Sequence, residues 1–242
     1  MIFEELIERF RGAEISYENV FAESPGVAPS LRMKGVHQPW SLKEVEFTIM
    51  RDTVRNNKLL RGYEVATAFG ISTLGIGLGF KETGGKLVTM DAYIEENSVD
   101  GSAYRYEFNK KYYDSKGYRS VQNLIKEFAL QDCVFPTVGW SPLDTYQSLS
   151  GTFDLGQEKL DFVFIDAGHW NEALYQDVQS VLPFLNKDRY VIFVHDTHGF
   201  TPKGLQAVED LLQNRLVWLP SCLPHNGFCL SYMAKGVEVA AV

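Results

Sequence analysis

Short apolar runs alternate along the chain with longer segments in which apolar residues recur at helical spacing. This alternation predicts an α/β fold with a doubly wound, mostly parallel, Rossmann-like sheet of seven strands. The runs that predict buried parallel strands are residues 63–66, 86–90, 133–138, 160–166 and 190–194. Two further apolar runs, 216–219 and 227–233, have no helix between them, so they predict a C-terminal antiparallel hairpin.

The first 56 residues follow a different pattern. An amphipathic helix is predicted at residues 2–11, and an irregular stretch with prolines and glycines follows it. Ser41 and Glu44 then form a capping-box pattern that opens a helix over residues 42–56. The sequence therefore predicts an N-terminal helical extension or cap, residues 1–56, on a Rossmann-like domain, residues 57–242.

Composition narrows the class of protein. The chain has 242 residues, 45% of them hydrophobic, and a net charge of −8 without a basic cluster, which argues against nucleic acid as a partner. No apolar run reaches the roughly 20 residues that span a bilayer, and the acidic N-terminus does not resemble a signal peptide. Cys133, Cys222 and Cys229 are too scattered for a disulfide framework. We expect a cytoplasmic protein that acts on a small molecule, and a homo-oligomer is left open.

The turn between the first predicted strand and helix has the character of a nucleoside site. Small residues at Ala66, Ala68 and Gly70 would let the backbone approach a ligand, and N–H groups at the following helix start can meet a polar group. Asp91, at the end of the next strand, can accept hydrogen bonds from both ribose hydroxyls. The alternative is a close-packed turn in which Asp91 only caps a loop.

Polar residues also follow the later strands, and in a parallel sheet these strand ends meet at one edge. Gly139, Trp140 and Ser141 follow the strand at 133–138, where the indole could lie against a purine or could equally be a core side chain. Asp166 ends the strand at 160–166. His195 and Asp196 end the strand at 190–194, so carboxylates and imidazoles are expected to converge.

Three segments together resemble a known family. Residues 64–74 (EVATAFGISTL) are similar to the glycine-rich first motif of the class I S-adenosylmethionine-dependent methyltransferases, and Asp91 matches their ribose-binding acid. Residues 162–169 (FVFIDAGH) and 191–196 (VIFVHD) look like the branch that contains macrocin-type sugar and catechol O-methyltransferases. The resemblance implies S-adenosyl-L-methionine as cofactor. The residues expected to bind it are Glu64, Ala66, Thr67, Gly70, Ser72, Thr73, Asp91, Ala92, Gly139, Trp140, Ser141 and Asp166.

The resemblance also implies a metal site and a base. Asp166, His195 and Asp196 would hold a divalent cation, Mg²⁺ or Mn²⁺. His195 stands where metal-binding relatives carry an acid or amide, and imidazole suits Mn²⁺ better than Mg²⁺. Asp166 and His169 are the predicted catalytic residues, with His169 as general base. In the simpler alternative, Asp166 caps the following helix and Asp196 fixes a loop.

Two departures from the motif keep other functions open. Ala66 and Ala68 replace family glycines, and alanine resists positive φ, so the turn is expected to differ in detail. The predicted function is O-methylation of a hydroxyl on a small molecule of sugar, phenolic or natural-product type. The alternatives are an NAD(P)-dependent oxidoreductase, although the required glycine motif is missing, and an inactive nucleoside-binding protein of the same fold.

Overall fold

The computed structural model describes residues 44–68, 70–92, 116–168, 170–219 and 230–241. The helices are α1 (Glu44–Asn57), α2 (Ile71–Thr83), α3 (Lys116–Glu127), α4 (Thr145–Ser150), α5 (Asn171–Val181) and α6 (Pro202–Leu212). The strands are β1 (Arg61–Val65), β2 (Lys86–Asp91), β3 (Val134–Val138), β4 (Phe162–Ile165), β5 (Tyr190–Val194), β6 (Val217–Trp218) and β7 (Ser231–Lys235). Short 3₁₀ turns cover Leu182–Phe184 and Thr197–Gly199.

The strands form a single seven-stranded sheet in the order β3-β2-β1-β4-β5-β7-β6. Strands β1 to β5 are parallel, while β7 runs antiparallel to both β5 and β6. The predicted doubly wound sheet with an antiparallel C-terminal pair is therefore confirmed. The carboxyl ends of β2, β1, β4 and β5 lie next to one another at one edge, which is where such sheets bind ligands.

Alternate residues of the strands supply two hydrophobic layers. In β4, Phe162 and Phe164 pack on the side of α1, α2 and α3, whereas Val163 and Ile165 pack on the side of α4, α5 and α6. All four side chains are buried. Both faces of the sheet are thus covered by helices, which explains why the central strands β4 and β5 are continuous apolar runs.

The first helix packs closely on α2 because α2 carries glycines. A Cβ atom at Gly75 would lie 2.7 Å from the Phe47 ring, and one at Gly79 would lie 2.7 Å from the backbone oxygen of Arg51. These glycines therefore allow α1 and α2 to pack closely.

The helix at 42–56 was predicted as part of a separate extension, residues 1–56. The division of the chain into this extension and a Rossmann-like domain stays a prediction, and residues 1–43 lie outside the described ones.

Several predicted boundaries are wrong by a few residues, for local reasons. The helical spacing of the apolar residues from Leu174 to Leu185 predicts a helix over 170–185, but the helix covers Asn171–Val181 and continues as a 3₁₀ turn, because Pro183 has no N–H to donate. The sequence also predicts a helix over 204–215, but this helix begins at Pro202, since the Thr201 hydroxyl accepts a hydrogen bond from the Gly204 amide as an N-cap. The six-residue helix α4 was missed, since it is too short to show a period.

Candidate active site

The turn after β1 has the backbone conformation of a glycine-rich motif although two of its three small residues are alanines. Ala66, Ala68 and Gly70 have φ values of 73°, 47° and 90°. The expectation that alanine would change the turn is therefore wrong for φ, since both alanines adopt the left-handed region. This conformation costs an L-residue roughly 1–2 kcal/mol, and such strain is typical of ligand-binding turns.

Asp91 holds this turn in place from the neighbouring strand. Its Oδ2 accepts a hydrogen bond of 2.8 Å from the Ala68 amide, and its backbone oxygen accepts one of 2.9 Å from the Gly139 amide. The carboxylate is half-buried, and the following Ala92 is buried. Asp91 thus joins the turn after β1 to the loop after β3. Both segments contain residues that were predicted to bind the cofactor.

The loop after β3 is fixed by two carboxylates. The Trp140 amide donates to Asp144 at 2.9 Å, and the Ser141 hydroxyl donates to Oδ1 of Asp177 at 2.5 Å. Asp177 lies on α5 and is buried, and this burial raises its pKa to about 6, against the opposing effect of the Ser141 hydrogen bond. Sequence analysis missed Asp177, because nothing along the chain links α5 to this loop.

Glu64 connects β1 to the first turn of α2 through hydrogen bonds. The side chain is fully buried in β1, and it accepts hydrogen bonds from Ser72 (2.5 Å) and Thr73 (2.6 Å) at the start of α2. Burial raises the pKa of Glu64 to about 7, although the hydroxyl donors act in the opposite direction. Thr67 is likewise buried and shares a 2.5 Å hydrogen bond with Thr89. These predicted cofactor residues therefore form the buried base of the turn.

Asp166, His195 and Asp196 converge at the ends of β4 and β5. Nδ1 of His195 lies 3.1 Å from Oδ1 of Asp166 and 3.4 Å from Oδ1 of Asp196. One ligand atom from each of the three residues lies within 4.8 Å of the others. The structure thus brings together the three residues that the sequence suggested as metal ligands. Asp196 has a φ of 53°, a left-handed conformation that directs the chain sharply after β5.

The imidazole of His195 is surrounded by carboxylates. Its Nε2 lies 3.4 Å from Oε2 of Glu46, a fully buried residue on α1. Burial alone would lower the pKa of His195, but Asp166, Glu46 and Asp196 outweigh it and hold the pKa well above its usual value. Sequence analysis missed Glu46. The available signal was a carboxylate on the same helical stripe as Met50, Thr53 and Val54, which are buried.

The edge of the sheet brings most of the predicted residues together. The Asp166 amide donates to Val65 and the His195 amide donates to Ile165, so the ladder of β1, β4 and β5 continues into the candidate ligands. Asp91 ends β2 and Asp166 follows β4. These two strands are separated only by β1, so at normal strand spacing they lie about 10 Å apart. His169, the predicted base, lies outside the described residues.

The family comparison agrees with this arrangement. Residues 64–197 match the family described as "Methyltransferase domain", and this match covers more than half of the chain. The chain belongs to this methyltransferase family. The matched segment begins at Glu64 and ends at Thr197, so it spans the turn, Asp91 and the three candidate metal ligands.

Solved structures with a similar fold include several methyltransferases. An O-methyltransferase from Bacillus cereus in complex with SAH (S-adenosylhomocysteine) is 17% identical, with a TM-score of 0.59 and coverage of 98% of this chain and 90% of that one. TomG, an O-methyltransferase from Streptomyces achromogenes involved in tomaymycin synthesis and solved with SAM (S-adenosylmethionine), is 16% identical, with a TM-score of 0.53 and coverage of 83% and 82%. The precorrin-6y C5,15-methyltransferase from Geobacter metallireducens is 13% identical, with a TM-score of 0.53 and coverage of 81% and 92%. At these identities the likeness shows the fold alone. No curated protein matches the chain.

These results bear on the alternative functions and on the expectation that the protein does not span a membrane. The family match supports the methyltransferase, and neither the oxidoreductase nor the inactive nucleoside-binding alternative finds support. Among the described residues, no helix has both the length and the apolar character needed to cross a membrane. The cytoplasmic location stays a prediction.

Proposed function

We propose that this chain is an S-adenosylmethionine-dependent O-methyltransferase that methylates a hydroxyl group of a small molecule with the help of a divalent metal ion. The observation that carries the proposal is the placement of two sites at one edge of the sheet. The strained turn with Asp91 stands on one side of that edge, and the Asp166–His195–Asp196 cluster stands on the other. One extended ligand with a ribose and a reactive sulfonium would bridge them.

The first of these sites fits the nucleoside part of the cofactor. The Asp91 carboxylate is held against the turn by the Ala68 amide, and each carboxylate oxygen can accept more than one hydrogen bond, so ribose hydroxyls can be bound as well. The loop of Gly139, Trp140 and Ser141 begins beside Asp91, where the base would lie. The fixed positions of both loops would reduce the ordering cost of binding.

The second site fits a divalent metal ion. Ligands at right angles on a cation with bonds of about 2.1 Å lie roughly 3 Å apart, and the Nδ1 distances of 3.1 Å and 3.4 Å are close to that value. One imidazole and two carboxylates form a mixed nitrogen and oxygen set. Such a set favours Mn²⁺ or another first-row transition metal over Mg²⁺, which prefers oxygen alone.

The chemistry divides between the two sites. Bound S-adenosylmethionine supplies a methyl group on a positively charged sulfur, and a bound divalent cation lowers the pKa of a hydroxyl that it coordinates. Asp166 and Asp196 would orient the acceptor hydroxyl for attack on the methyl carbon in line with the sulfur. The hydroxyl proton would pass to His169, three residues after Asp166, as the carbon–sulfur bond breaks and the carbon–oxygen bond forms.

A groove of about 420 Å³ supports an acceptor with an apolar or aromatic body. It is lined by Thr197, the residue after Asp196, and by residues of α6 and β6 and their flanking segments. Its apolar lining includes Phe200, Leu205, Leu216 and Trp218. One of its lining residues, Thr197, directly follows the candidate ligand Asp196, so a hydroxylated aromatic molecule in the groove would lie on the side of β5 that carries the candidate ligands. We therefore expect phenolic acceptors to be used better than free sugars.

The test is formation of S-adenosylhomocysteine from S-adenosylmethionine with a panel of catechols, hydroxylated aromatic acids and sugars. Each acceptor is assayed in EDTA, in Mg²⁺ and in Mn²⁺, and mass spectrometry locates the new methyl group. We expect an O-methyl product and the highest rate in Mn²⁺. Asp196→Ala should lose the metal stimulation, whereas Asp188→Ala, at a 96% exposed side chain, should keep it. A nitrogen- or carbon-methylated product, or equal rates in EDTA and Mn²⁺, would contradict the proposal.

A further inference from the structure

Glu46 is a carboxylate in an unusual place. It lies on α1, has no exposed surface, and comes within 3.4 Å of Nε2 of His195, which is 149 positions later in the chain. Burial of a charge is costly unless a partner compensates for it. A residue of this kind, on a helix that packs against α2, calls for an explanation beyond packing.

The ring of His195 has two nitrogens with different surroundings. Nε2 faces Glu46, and Nδ1 faces both Asp166 and Asp196. A carboxylate only accepts hydrogen bonds, so Glu46 holds a proton on Nε2. Asp166 and Asp196 can accept from a proton on Nδ1 in the same way, but a divalent cation between them would take the place of that proton, and the Nδ1 lone pair would then bind the cation while the Nε2 proton stays with Glu46.

We infer that Glu46 is a positioning residue that fixes His195 in the tautomer with the proton on Nε2, so that Nδ1 is the nitrogen that binds the metal. The inference rests on the proposed metal-assisted function. It assigns to α1 a role in building the catalytic site. Carboxylates that hold a metal-binding histidine in this way are widespread in proteins, and removal of one typically weakens metal binding by about 10–100-fold.

The packing of α1 keeps this contact in place. Phe47 lies against Gly75, and Arg51 and Val54 lie against Gly79, so the helix is anchored on α2 immediately after Glu46. The ring of His195 also meets the edge of Phe164, with ring centroids 6.3 Å apart, which limits its rotation. The imidazole is therefore held by an apolar neighbour and oriented by the carboxylates.

The experiment is titration of the full chain with Mn²⁺, in which electron paramagnetic resonance reports the free ion. Glu46→Leu removes the acceptor, and Glu46→Gln keeps a neutral oxygen that can still accept from Nε2. Thr53→Val is the matched control: Thr53 is a buried polar residue of α1 whose hydroxyl accepts from the Ala240 amide, away from His195. Affinity for S-adenosylhomocysteine is measured on every variant to monitor the rest of the site.

We expect Mn²⁺ affinity to fall 10–100-fold in Glu46→Leu and less than fivefold in Glu46→Gln, while Thr53→Val matches the wild type. Affinity for S-adenosylhomocysteine should stay within twofold throughout. Unchanged Mn²⁺ affinity in Glu46→Leu would overturn the inference while leaving the metal proposal intact. Absence of Mn²⁺ binding to the wild type would overturn both, while S-adenosylhomocysteine binding would still support the methyltransferase.

A measurement on the wild type keeps the test decisive if Glu46→Leu does not fold. Long-range ¹H–¹⁵N correlation spectra with diamagnetic Zn²⁺ should show the His195 proton on Nε2 and a metal-induced shift at Nδ1. Assignment uses His195→Gln. The opposite pattern, with the metal at Nε2, would show that Glu46 does not set the tautomer.

Discussion

Replacement of Glu64 by glutamine should change how the stability of this protein depends on pH. Glu64 is fully buried, and its pKa is raised from 4.5 to about 7, mainly because burial disfavours the charged form. The folded state therefore binds a proton more tightly than the unfolded state does. Stability contributed by this proton is fully present below about pH 4.5 and is lost as the pH rises toward 7.

The expected size follows from the interval between the two pKa values. At about 1.4 kcal/mol per pH unit, the difference between 4.5 and about 7 corresponds to a loss of about 3 kcal/mol for the wild type. Glutamine does not ionise and can still accept hydrogen bonds from the Ser72 and Thr73 hydroxyls. Glu64→Gln should therefore gain up to about 3 kcal/mol relative to the wild type between pH 4.5 and pH 8.

The assay is urea unfolding followed by tryptophan fluorescence and circular dichroism at several pH values, with the slope checked for constancy. Other titrating groups affect both proteins alike, so the difference between them isolates Glu64. Glu158→Gln is the control of opposite sign, because a backbone hydrogen bond and Arg61 lower the pKa of Glu158. Parallel pH curves for the wild type and Glu64→Gln would show that the Glu64 carboxyl has the same pKa in the folded and unfolded states.

Three other changes give defined outcomes. Ala66→Gly should raise the free energy of unfolding by up to about 1 kcal/mol. Glycine adopts a φ of 73° without strain, although it loses more backbone entropy on folding than alanine does. Denaturant unfolding measures the change, and a lower free energy of unfolding would contradict the prediction. Gly79→Ala should lower the free energy of unfolding by about 1–3 kcal/mol, because the new Cβ would lie 2.7 Å from a backbone oxygen of α1. We expect a lower melting temperature, and an unchanged melting temperature would contradict this prediction. His169→Ala should lower kcat by about 10²–10⁴-fold with S-adenosylmethionine affinity unchanged, and wild-type kcat would exclude His169 as the base.

The fold was predictable because its information is local. The central strands β4 and β5 are runs of apolar residues buried on both faces, and the helices between the strands show their own period, so element order could be read along the chain. The candidate ligands Asp166, His195 and Asp196 were also predictable, since they directly follow two such strands. The topology then places neighbouring strand ends side by side.

Other parts of the site were not predictable because they depend on tertiary packing. Glu46 reaches His195 only because glycines in α2 let α1 approach, and Asp177 reaches Ser141 only because α5 crosses the loop after β3. The backbone conformation of the turn after β1 was also not predictable from the sequence. Residue preference argued against positive φ at Ala66 and Ala68, and the surrounding turn overrides that preference.

We propose that the edge of this sheet binds S-adenosylmethionine through Asp91. Isothermal titration of the wild type and of Asp91→Ala with S-adenosylmethionine is the test, with NAD as the competing ligand. We expect the wild type to bind S-adenosylmethionine, Asp91→Ala to lose at least tenfold in affinity, and neither protein to respond to NAD. Binding would not depend on Asp91 if the wild type gave no signal with S-adenosylmethionine, or if Asp91→Ala bound it as tightly as the wild type.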